Sequence, residues 1–174
     1  MNIVAFAASS SSKSINKKLV TYAVNLLDDV SVEILDLNDY ELPIFSEDRE
    51  AELGQPELAK QFFAKFSDCD GVIISFAEHN GSYSAAYKNL FDWCSRIDTK
   101  VYQNKPMVLL STSPGGAARV LAHAVNSMPH FGGIVKGSFS LPSFHKSFDI
   151  ENNRIIDDEA ALGLKKEVAG LLVE

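Results

Sequence analysis

The chain has 174 residues, of which 46% are hydrophobic and 22% charged, and a formal net charge of −7. That length and composition suit one domain, residues 1–174, around a single core. The acidic balance excludes a protein that tracks nucleic-acid backbones and disfavours an anionic membrane surface, and no apolar run approaches the ~20 residues of a bilayer span.

Taken in order, residues 2–7 (Asn2-Ile3-Val4-Ala5-Phe6-Ala7) read as a parallel strand covered on both faces. No charged leader with a cleavage site precedes it, so no secretion signal is expected and the protein is read as cytoplasmic. A serine-rich turn, 8–16, leads into helical spacing through Leu19, Ala23, Leu26 and Leu27. Residues 32–37 predict a second strand; 38–56, broken by Pro43, Gly54 and Pro56, predict a long loop of functional or interface character. A helix follows over about 56–66, with Leu58, Phe62, Phe63 and Phe66 facing inward.

The third strand is expected over 71–77 and a long helix over about 84–97. A fourth strand fits 107–111, a helix about 117–128 and a fifth strand 134–139. Residues 140–156 read mostly as loop, with Asn152-Asn153 a turn between two short extended pieces. The last helix, about 157–172, begins with acidic residues where the helix dipole favours them. Strict alternation of five strands and five helices is the pattern of an α/β, three-layer, doubly wound parallel sheet. The flavodoxin-like strand order 2-1-3-4-5 is the leading choice, and it places strands one and three side by side at the switch point. The turns after strands one, three and four then converge on one cleft.

Each turn carries polar chemistry. Turn one offers hydroxyls and backbone N–H groups at a helix start, from Ser9, Ser11, Ser14, Ile15 and Asn16, which suits a phosphate. It contains neither a Walker loop nor a GxGxxG fingerprint, and Ser14 could equally be an ordinary helix cap. Turn two, Glu78-His79-Asn80-Gly81-Ser82, places amide, hydroxyl and main-chain donors around a glycine that lets backbone approach a flat ligand. Turn three, Ser113-Pro114-Gly115-Gly116, does the same. Alone, each is a common connection; together they suit a phosphorylated flat heterocycle, with FMN the first candidate.

Ser9…Ser14-Ile15-Asn16, Leu42-Pro43-Ile44-Phe45 with Asp48, Glu78-His79-Asn80-Gly81-Ser82 followed by Lys88-Asn89…Asp92-Trp93, and Ser113-Pro114-Gly115-Gly116 together resemble the NADPH-dependent FMN reductases. The resemblance implies that Ser9, Ser14 and Asn16 hold the FMN phosphate. It further implies that Glu78, Asn80, Gly81 and Ser82 line the ring and ribityl chain, with Ser113, Gly115 and Gly116 at the ring's other edge. NADPH or NADH would stack on the flavin and pass a hydride to N5, and a flavin, quinone or similar acceptor would take the electrons in a second half-reaction. Main-chain N–H groups would stabilise charge on the reduced ring, so no catalytic acid, base or nucleophile is expected. Two departures from the family pattern stand out: Ser11 where arginine is frequent, which weakens the case for an NADPH preference, and His79 where tyrosine is usual.

Other readings weigh less. A flavodoxin-type electron carrier without a nicotinamide site normally has a glycine in its phosphate loop, and Ser9–Asn16 has none. A receiver module needs an aspartate after strand three, where Ala77-Glu78 stands. His123, His130 and His145 show no metal-ligand spacing, and Cys69 and Cys94 fit neither a CxxC pair nor a zinc site, so both thiols are expected reduced and partly buried. The helix over 84–97 carries two apolar stripes, Ala86/Leu90/Trp93/Ile97 and Tyr87/Phe91/Cys94, wider than one face against a sheet requires. The stripes fit either a deeply packed core helix or a dimer interface; the resemblance supports the latter, so a homodimer or dimer of dimers is expected.

Overall fold

The computed structural model describes residues 1–173. Five parallel strands, β1 (Asn2–Ala8), β2 (Ser31–Leu35), β3 (Gly71–Ala77), β4 (Lys105–Thr112) and β5 (Gly133–Leu141), form one sheet in the order β2-β1-β3-β4-β5. In the central register Ala5 lies beside Ile73 and Ile73 beside Val108. All of β3 is buried, as suits a central parallel strand whose sequence is apolar apart from Ser75.

Alternation along the strands sorts the core into two halves. Val4, Phe6, Ile74, Phe76 and Leu109 face helices α3 (Glu57–Ala64), α4 (Ala85–Ser95) and α5 (Ala118–Ser127). That half is aromatic: Phe6 meets Phe62 edge-on at 5.4 Å, and the buried Tyr87 and Tyr102 hydroxyls bond each other at 2.6 Å. Ile3, Ala5, Ile73, Val108 and Leu110 face the opposite way, onto α1 (Ile15–Val24) and α7 (Asp158–Ala169), in an aliphatic half.

Two connections differ from expectation. The loop expected over 38–56 contains a 3-10 turn, Leu37–Tyr40, and a helix, α2 (Glu47–Leu53). Asp36 ends the second strand early, because its side chain accepts from the Asn38 amide. α2 buries none of its residues, so no apolar stripe marks it; its signals are the Ser46 cap and the acidic first turn. Within 140–156, α6 (Phe144–Ser147) precedes a small hairpin in which β6 (Phe148–Asp149) pairs antiparallel with β7 (Arg154–Ile155).

The width of α4 needs no second copy. Tyr87, Leu90, Phe91, Trp93 and Cys94 are all buried within one chain. Phe91 packs edge-on against Phe131 at 4.7 Å, and Trp93 against Phe45 at 5.1 Å. The stripes therefore reflect contacts on two sides within a single subunit, and the argument for a dimer drawn from them falls.

Candidate active site

The three turns lie at the carboxyl edge of β1, β3 and β4, where ligands bind in open α/β sheets. In turn one the Ser9 amide bonds the Ala7 carbonyl and the Ser11 amide bonds Ser9 Oγ. Ser14 caps α1, its Oγ accepting from the Lys17 amide. Among the described residues the amides of Lys13, Ile15 and Asn16 find no acceptor, so donors remain for an anion at this helix start.

Asn16 departs from its expected place. Its side chain is 2% exposed and turned into the fold. Its Nδ2 donates to the Thr112 carbonyl at 3.0 Å, and its Oδ1 accepts from the Thr112 amide at 3.0 Å and Ser75 Oγ at 2.8 Å. With those bonds made it is a clamp between α1, β3 and β4, not a direct phosphate donor; only its main-chain amide remains for a ligand. Ser84, which caps α4, donates to the Ala8 carbonyl and ties turn one to the start of that helix.

Turn two is a two-residue hairpin. Asn80 (φ 53°) and Gly81 (φ 77°) are both left-handed, and the amides and carbonyls of His79 and Ser82 bond reciprocally at 3.0 Å. That geometry is type I′, for which Asn-Gly is the preferred pair. One oxygen of the Glu78 carboxylate is already engaged. Its Oε2 accepts from the amides of Arg119 and Val120, both at 2.9 Å, and so caps α5. Turns two and three are thereby fastened to each other.

In turn three Ser113 Oγ accepts from the Gly115 amide, and Ala117 enters α5 with φ 54°. A Cβ built on Gly116 would meet nothing within 4 Å and one on Gly115 only Ser113 Oγ at 3.8 Å, so this backbone presents a bare edge to open space. The carbonyls of Ser113 and Gly115 accept from the amides of Phe144 and Ser143, which makes α6 a fourth wall.

Ser9, Ser11, Ser14, Glu78, His79 and Ser113 line one cavity of about 290 Å³, together with Ile15, Asn16 and Pro114. Asn80, Gly81, Ser82, Gly115 and Gly116 are not on its wall. Lys13 and His145 are, and sequence reasoning passed over both. Lys13 could have been noticed as the one cation inside a serine run; nothing in the sequence brings His145 to this end of the sheet.

The motif residues on α4 serve a neighbouring purpose. Asn89 Nδ2 donates to the carbonyls of Leu42 and Pro43, its Oδ1 accepts from the Phe45 amide, and Trp93 Nε1 donates to the Pro43 carbonyl. These bonds fasten the Leu42–Phe45 segment to α4. Cys69 and Cys94 are free and buried; burial pushes the Cys94 thiol up to about 12 and raises that of Cys69, so neither is a thiolate near neutral pH.

A doubly wound sheet with an anion seat at its switch point, beside glycine-bordered main chain, defines a flavodoxin-like mononucleotide-binding protein. The profile of the NADPH-dependent FMN reductases matches residues 1–146, and the chain belongs to that family. It is similar to an NAD(P)H-dependent FMN reductase of Pseudomonas aeruginosa, with 26% identity over 98% of this chain and 93% of that one. It is also similar to an NADPH:quinone oxidoreductase of Arabidopsis thaliana, with 29% identity over 98% and 90%. Among solved structures, a flavoenzyme NAD(P)H:(acceptor) oxidoreductase from Paracoccus denitrificans shares the fold with a TM-score of 0.76, at 24% identity over 98% of this chain and 94% of that one. The protein is an FMN-dependent NAD(P)H oxidoreductase.

Proposed function

We propose that the protein takes a hydride from NADPH or NADH and passes the electrons to a quinone or a free flavin. Three turns sharing one cavity at the carboxyl edge of the sheet carry this reading. The residues suit FMN, because the unpaired amides at the start of α1 suit its phosphate and the bare edge of Gly115-Gly116 suits a flat ring. FMN, when bound, supplies the hydride acceptor and donor chemistry.

The chain's part is to hold and orient. Ser9, Ser11 and Ser14, with the amides of Ile15 and Asn16, receive the phosphate. A cavity of about 290 Å³ is at the small end for a ligand of this size, so Asn80–Ser82 and Gly115-Gly116, outside it, would also be needed to hold the ring. His79, on the cavity wall, would border the ring. The open space beside Gly115-Gly116 would leave room for the nicotinamide and then for the acceptor. No side chain is asked to move a proton.

Two copies are retained in this reading, with exposed Ile44, in the clasped Leu42–Phe45 segment, and exposed Leu53, on α2, as the apolar contact. Light scattering on the purified protein and on Ile44→Glu tests it: the variant is expected as a monomer. The function itself is tested by the absorption spectrum of protein mixed with FMN, before and after anaerobic NADPH and, separately, NADH. Bleaching of the bound flavin within seconds is expected. A bound flavin that neither nucleotide bleaches would favour the carrier without a nicotinamide site, and a protein that takes up no FMN would end both readings.

A further inference from the structure

We propose that Lys13 and His145 are the basic side chains that meet the phosphate in its seat. The proposal rests on the reading that the cavity holds FMN, and it names what balances the charge there. A phosphate monoester carries nearly two negative charges near neutral pH. A chain with a net charge of −7 opposes such a group unless cations are placed locally. Apart from Lys13, turn one supplies neutral hydroxyls and amides, and a helix N-terminus contributes only about half a charge. Glu78 on the same wall is acidic, although its carboxylate is engaged by the α5 amides.

The basic side chains on the cavity wall are Lys13, His79 and His145. His79 belongs to the turn-two hairpin, at the ring end. The other two are located by a second cavity, of about 520 Å³, between α1 and the β6–β7 hairpin. The two cavities share Lys13, Ser14, Ile15 and His145, so these four form the partition between them. Ser14 is the cap of α1, and the unpaired amides start beside it. Lys13 and His145 therefore flank the place where the helix presents its donors.

Both are available for an anion. Among the described residues neither is in an ion pair, whereas Lys17, on the wall of the larger cavity alone, is held by Asp36 at 2.6 Å. His145 is also well placed by what surrounds it. Phe144 is fully buried and stacks on Phe148 at 4.9 Å, and the amides of Ser143 and Phe144 bond the Gly115 and Ser113 carbonyls. The imidazole is thus carried on a segment fixed to turn three, opposite the lysine on turn one. A lysine ammonium and an imidazole donor from separate segments supply from positions 13 and 145 what Ser11, a neutral hydroxyl, does not.

Quenching of flavin fluorescence on binding tests this with two ligands, FMN and riboflavin, which has the same ring and ribityl chain without the phosphate. Lys13→Ala is expected to weaken FMN about tenfold, the scale of one charge-assisted hydrogen bond, and to leave riboflavin unchanged. His145→Ala is expected to weaken FMN about threefold with riboflavin unchanged, since an imidazole donates whether or not it is charged. Lys13→Arg restores most of the loss, which a merely structural role would not do. Unchanged FMN affinity in both alanine variants, or an equal fall for both ligands, would overturn the proposal. Wild-type protein that binds neither ligand would instead remove the cofactor reading beneath it.

Discussion

Turn one and the pair formed by turns two and three are held in different ways. Ser9 and Ser11 make only short-range bonds, and several amides around them have no partner. The order of turn one comes from beneath, through buried Asn16 and through Ser84 on the Ala8 carbonyl. Turns two and three are instead locked sideways, by the reciprocal His79–Ser82 bonds, by Glu78 on α5 and by the amides of Ser143 and Phe144 at the start of α6. The difference follows from the ligand parts. An anion seat works only if its donors stay unsatisfied, so its support must lie outside the seat. A ring is met by main-chain edges, and those can be bonded to each other without losing the surface they present.

The largest expected effect lies under turn one. Asn16→Ala would strand the Thr112 amide and carbonyl and Ser75 Oγ, each a buried group whose orphaning costs about 1–3 kcal/mol. A loss of about 3 kcal/mol in urea unfolding is expected after partial relaxation. Asn16→Asp should not rescue it, because an ionised carboxylate cannot donate to the Thr112 carbonyl. A loss below about 1 kcal/mol would mean turn one is not supported from below. Glu78→Ala comes next, at about 1–2 kcal/mol, for a carboxylate capping two helix amides. Glu78→Gln keeps an acceptor oxygen and should recover part of that. Because Glu78 joins the two ring-side turns, its loss should lower FMN and riboflavin affinity together, unlike the loss of Lys13.

Gly81→Ala should cost about 1 kcal/mol, from a left-handed φ. Its new Cβ would also meet Arg119 Cδ at 3.3 Å, an exposed side chain that can give way. A stability change near zero with weakened ring binding would mark the hairpin as a surface feature without a part in the sideways lock.

What the sequence made legible follows the same division. Strand order could be read because β1, β3 and β4 are apolar runs separated by helical spacing, and turn two because Asn80-Gly81 has a strong local preference. The family pattern did mark residues of consequence, but several act as fasteners. Asn16 clamps strands, Glu78 caps α5, and Asn89 and Trp93 hold the Leu42–Phe45 segment. A polar side chain near a turn looks the same in sequence whether it faces a ligand or a backbone group. α2 was missed because a helix that buries nothing carries no periodicity, and His145 because its contribution depends on two backbone bonds to turn three.

The smallest effect concerns where the cations of turn one end. Lys17 bonds Asp36 at 2.6 Å, with side chains 45% and 34% exposed. The Lys17 hydrogen bond, followed by the Asn38 amide, holds the Asp36 carboxyl below the usual carboxylate range. A carboxyl depressed in the folded state stabilises above its unfolded value, ~3.9, and that contribution is lost as pH falls through the lower folded value. Solvent screening limits it to a few tenths of a kcal/mol. Lys17→Met should therefore remove only that much at pH 7, measured by urea unfolding, and flatten the stability curve below about pH 4. If Asp36 also neutralises Lys17 toward a ligand, FMN affinity should stay within about twofold of wild type, under 0.5 kcal/mol. A tenfold loss in this variant would extend the phosphate's cation set one turn up α1, and would make the seat less dependent on Lys13 than its place on the partition implies.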